Sequence, residues 1–128
     1  MTLYQARQST SLSNNTTKTV DLTIPNGKIW KIYAINMHNG DDVNRLCSVK
    51  IVDSSGNLLH NLAYTTINAG SIMEMLSFIK TSISDNAPFI STPTLIKGGN
   101  KLRLTWNAGG TSSGGTSYYT ITYQEVPE

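Results

Sequence analysis

Short segments in which apolar and polar residues alternate one by one, each closed by a turn signal, set the strongest limit on how this chain can fold. Leu102, Leu104 and Trp106 alternate with Lys101, Arg103 and Thr105, and Tyr119, Ile121 and Tyr123 alternate with Tyr118, Thr120 and Thr122. Val20, Leu22 and Ile24 alternate with Asp21 and Thr23, and Cys47, Val49 and Ile51 with Ser48 and Lys50. A period of two places all the apolar side chains of an extended segment on one face. Between these segments lie Pro25-Asn26-Gly27, whose last two residues tolerate positive φ, and Asp53-Ser54-Ser55-Gly56, with type I turn preferences. The spacing predicts an all-β fold, an antiparallel sandwich or barrel of about seven to eight strands.

Composition points the same way. Twelve Asn, 14 Ser and 16 Thr make up a third of the 128 residues, and these types favour strands and turns over helix interiors. A length of 128 residues with 38% hydrophobic content predicts one domain with its own core. Residues 1–15 are polar apart from Leu3, Tyr4, Ala6 and Leu12, and read as an N-terminal arm ahead of a sandwich domain spanning 16–128.

Three segments are less regular. In Lys28 to Met37 both faces are largely apolar: Ile29, Tyr33, Ile35 and Met37 on one, Trp30, Ile32 and Ala34 on the other. One face would pack the core, and the second would need a partner subunit or the arm as its cover. Residues 70–80 fit a capping box at Ser71 to Glu74 and a helical seam of Ile72, Met75, Leu76 and Ile79. They also fit a strand of Ile72, Leu76 and Phe78, which the surrounding strands favour. Residues 81–100 read as irregular, and 107–117, with four glycines, as a flexible hairpin tip.

Several function classes have little to stand on. The formal charge is +2 with no basic stripe, so no nucleic-acid partner is expected. No apolar run approaches the ~20 residues that span a bilayer, so no membrane partner is expected either. The start Met1-Thr2-Leu3-Tyr4-Gln5 lacks a signal-peptide pattern, which predicts a soluble chain made in a cytoplasm and not exported by a cleaved signal. Cys47 is the single cysteine and sits on an apolar strand face, which predicts a small core residue. Only His38 and His60 are available as bases, and no nucleophile elbow or phosphate loop occurs, so no catalytic residues and no cofactor are expected. The turn at His38, Asp41 and Asp42 is rich enough in oxygen to hold calcium, yet is equally explained as a solvated Asn-Gly turn, and no metal is assigned there. Trp106 shares a face with Leu102 and Leu104, which favours core packing, whereas Tyr118 lies on the polar side of its strand. Tyr118 is placed at a subunit interface or, alternatively, under a sugar ring.

Four stretches carry a resemblance. Ile24-Pro25-Asn26-Gly27-Lys28-Ile29-Trp30-Lys31-Ile32 opens a strand. Arg45 precedes a strand that ends at Asp53 and the Gly56 turn. Gly98-Gly99-Asn100 leads into Leu102-Arg103-Leu104-Thr105, and Tyr123 to Glu128 forms a short acidic tail. In these the chain resembles the small β-sandwich virion proteins of tailed bacteriophages, of the capsid decoration (cement) or head-fibre type. The resemblance implies a jelly-roll-like sandwich, often a homotrimer, made in the host cytoplasm and bound to the major capsid protein on the outside of the head. On it, Leu3, Tyr4 and Arg7 are expected at the capsid contact and Trp30, Ile32 and Tyr118 at the subunit interface. The alternative is a glycan-binding module of a head or tail fibre.

Overall fold

The computed structural model describes residues 3–77 and 93–128. They form nine strands and no helix: β1 Tyr4–Leu12, β2 Lys18–Thr23, β3 Lys28–His38, β4 Arg45–Val52, β5 Leu58–Ile67, β6 Ile72–Ser77, β7 Thr94–Lys97, β8 Lys101–Trp106 and β9 Gly115–Pro127. One sheet has the order β1-β9-β3-β6, with β7 also paired to β3, and the other the order β2-β8-β4-β5. Every described pairing is antiparallel.

The pairs are nested along the chain. β4 pairs with β5, β3 with β6, β2 with β8 and β1 with β9, and successive pairs fall alternately in the two sheets. One long antiparallel ribbon is therefore wound around a single core, which is the jelly-roll winding of a β-sandwich. Its inner faces meet through Ile35, Met37 and Ile121 on one side and Val49, Leu104 and Trp106 on the other, all 0% exposed. The indole N–H of Trp106 is satisfied inside that core, donating to the His38 carbonyl oxygen at 2.9 Å.

Four expectations need correction. The arm is a strand: Tyr4 to Leu12 pairs residue by residue with Tyr123 to Gly115, and Leu12 is buried. Its polar sequence reflects an edge position with little inward cover, where only Leu12 reaches the core. Second, the region read as irregular contains β7, whose Ile96 is buried opposite Trp30. Lys97 thus belongs to β7, and Lys101 and Arg103 to β8.

Third, residues of β3 that the sequence pattern sets on opposite faces share one face. Its register against β9 shifts between Ile32 and Ala34, leaving Tyr33 as the extra residue of a bulge. Ile32, Ile35 and Met37 consequently lie opposite Tyr123, Ile121 and Tyr119, on one continuous inward face. Fourth, the 107–117 loop is pinned, as described below. Residues 72–77 form the expected strand, and Phe78 and Ile79 lie outside the described residues.

Candidate interaction surfaces

One end of the sandwich is built around a buried ion pair. Arg45, at the start of β4, donates from Nε and Nη2 to Asp41 Oδ2 at 2.9 and 2.7 Å, and both side chains are fully buried. Its remaining donors reach the carbonyl oxygens of Thr16, Asn107 and Ser13. Asp41 in turn accepts from Ser112 Oγ and from the amides of Gly114 and Asp42. Three loops, 13–17, 39–44 and 107–114, are thereby closed on one charge pair. Burial pushes the Asp41 carboxyl upward, but the hydrogen bonds from Arg45, Ser112 and Asp42 outweigh it and hold the group down at about 2.

Two glycines of the 107–114 loop, Gly109 and Gly114, serve close packing. A Cβ on Gly109 would lie 2.3 Å from the Asn44 carbonyl oxygen, and one on Gly114 would lie 2.5 Å from that of Leu12. The turn that resembled a calcium loop has its Asp41 carboxylate committed to Arg45. No group of three metal-binding side chains occurs among the described residues.

The opposite corner gathers three of the four stretches that carry the resemblance. The Ile24 amide donates to Asn100 O, Gly99 to Ile24 O, Gly98 to Lys28 O, and Glu128 to Gly27 O. Trp30 Nε1 donates to Glu125 Oε1 at 2.9 Å, and its ring stacks on Tyr123 at 4.1 Å, with Tyr4 tilted against Tyr123 at 5.7 Å. Burial, then the nearby Glu125 and Tyr4, push the Tyr123 hydroxyl above its ordinary range. Trp30 and Ile32, expected at a subunit interface, are thus used internally: Trp30 in this half-buried cluster and Ile32 in the core at 0% exposure.

The outer face of the first sheet carries Tyr118. The Arg7 guanidinium lies 4.3 Å over its ring and His38 stacks on it at 4.4 Å. Because β9 runs between β1 and β3, these neighbours cover opposite faces of the ring. Tyr118 therefore offers no open face for a sugar. Desolvation, then the charge of Arg7, lower the His38 pKa. Of the expected contact residues, Leu3 and Tyr4 are exposed at 38% and 51% where β1 begins, while Arg7 is exposed on the outer face. Cys47 is fully buried and burial pushes its thiol up to about 12, so it is a packing residue with no thiolate at neutral pH.

Two features were not legible in the sequence. One is the Arg45–Asp41 pair, whose only signal is the spacing of four across a polar turn. The other is the edge formed by β5, which exposes Tyr64 at 75% and, with Asn61 to Thr65, faces Glu74 and Met75 of β6 across a groove of about 350 Å³.

Compared with known proteins, this all-β sandwich matches no family model and no curated protein. Among solved structures it is similar to a chain in the structure of infectious bursal disease virus, Gx strain, with 10% identity over 95% of this chain and a TM-score of 0.41. This chain spans about a third, 32%, of the length of that one.

Proposed function

We propose that the chain is a structural virion protein: a capsid decoration (cement) protein that seats on the outside of a phage head and bridges subunits of the major capsid protein. The observation that supports this most is the work done by the resemblance-bearing stretches. The 24–32 strand opening, the Gly98-Gly99-Asn100 turn and the 123–128 tail meet in one hydrogen-bonded corner. Arg45 closes the other end. These residues set the architecture of the domain and leave its surfaces for contacts, which is what a protein acting by docking requires. The shell-contacting surface in this reading is the start of β1, where Leu3 and Tyr4 are exposed, with Arg7 further along on the opposite, outer face of the strand. In the glycan alternative Tyr118 would have to serve from between Arg7 and His38.

The test uses shells assembled from the major capsid protein of the virus that carries this chain. In a pelleting assay, the double variant Leu3→Glu/Tyr4→Glu is expected to weaken shell binding about tenfold or more with an unchanged thermal midpoint. Binding equal to that of the unaltered chain would remove the contact from this surface.

A further inference from the structure

We infer that the β5 edge is a self-association surface, on which a second copy of this chain adds its own β5 antiparallel across a two-fold axis. The inference stands apart from the virion reading. β5 is the outer strand of the second sheet, and over Ala63–Ile67 it pairs regularly with Arg45–Val49, its two bulges falling at Leu59 and Leu62. A strand edge presents unpaired backbone donors and acceptors, and proteins blunt such edges with charges, prolines or bulges. The other outer strands carry charges: Arg7 on β1, Lys18 and Asp21 on β2, Glu74 on β6 and Lys97 on β7. β5 has ten residues with no Lys, Arg, Asp, Glu or Pro, and Ala63–Ile67 has no bulge.

The same stretch is complementary to itself. With the two-fold axis at Thr65, Tyr64 of each copy stands opposite Thr66 of the other on the outer face, and the two Thr65 residues stand opposite one another. Aromatic–β-branched and Thr–Thr pairs are favourable cross-strand combinations. Tyr64 is 75% exposed, and Leu46, beside Thr66 on the same face, is 43% exposed. The row Leu46–Thr66 of one copy would continue into Tyr64 of the next, covering both. This stretch itself carries no charge, its acidic neighbour being Glu74 across the groove, whereas a β1–β1 pairing would bring together two Arg7 residues on the paired strands themselves. The occupant is therefore a second copy, and the assembly a closed pair, in contrast to the trimer implied by the resemblance.

Sedimentation velocity of the full chain is the test. The expected species is about twice 14.0 kDa. Tyr64→Glu/Thr66→Glu and Tyr64→Lys/Thr66→Lys should each weaken association by about 100-fold or more, through like charges set opposite one another, while keeping the parent's circular-dichroism spectrum. An equimolar mixture of the two should restore the two-chain species. A one-chain species at every soluble concentration, or an assembly that either charged variant leaves intact, would overturn the proposal.

Discussion

Arg45 and Asp41 illustrate how a residue's task can be set by what its loop must meet. In the sequence Asp41 belongs to a polar turn and Arg45 to a strand entrance. In the fold each loses all contact with solvent, and together they close three loops. Removing one member of such a pair leaves the other buried and uncompensated, so Asp41→Ala should cost about 3 to 5 kcal/mol of unfolding free energy, measured by chemical denaturation. The pH dependence follows from the direction of the shift. The folded carboxyl sits at about 2 against an ordinary 3.8. The contribution is therefore complete above the ordinary value and is lost as pH falls from 3.8 toward about 2. Stability measured across that interval should fall more steeply for the parent than for Asp41→Asn, and parallel slopes would show that the acid sensitivity lies elsewhere.

Strand elements were legible where alternation is clean, and hidden where a bulge resets it. β2, β4, β8 and β9 follow the period-two pattern in the sequence. In β3 the extra residue Tyr33 makes one inward face look like two opposed faces. In β6 the register shift opposite Ile35 and Asn36 leaves Met75 as the extra residue, so Met75 and Leu76 are buried in succession and the period of two is broken, while Ile72, read on one face with Leu76, is exposed. β1 escaped notice because an edge strand needs few apolar residues. The 107–114 loop escaped because glycine permits close approach as readily as mobility. That loop gives a sharp comparison. Gly114→Ala puts a Cβ against the Leu12 carbonyl oxygen at φ +77°, whereas at Gly110, φ +104°, a Cβ meets nothing within 4 Å. Gly114→Ala should cost about 2 kcal/mol or more and Gly110→Ala about 1. Equal small effects would mean that the tip is loose. Deleting residues 1–12 removes β1 and the buried Leu12 together, so soluble folded protein should be lost. A well-folded truncated chain would show β1 to be dispensable.

At the scale of the whole molecule, the fold class was readable from the alternation and the turns, but the winding was not. Nesting depends on which strands pair over long sequence separations, as β1 does with β9, and local patterns carry no record of that choice. The interaction surfaces are less legible still, because Tyr64 and Tyr118 look alike in a sequence. One stands open on an edge, and the other is enclosed between Arg7 and His38. The proposed role in the virion treats the wound ribbon as a stable block whose binding energy is released only on an assembled shell, stabilising that shell by mass action. The most direct test is to add the full chain to shells of the major capsid protein and to follow both sedimentation through a cushion and the temperature at which the shells come apart. Saturable co-sedimentation and a raised disruption temperature are the expected results. A chain that stays in the supernatant while the shells melt unchanged would contradict the proposed role.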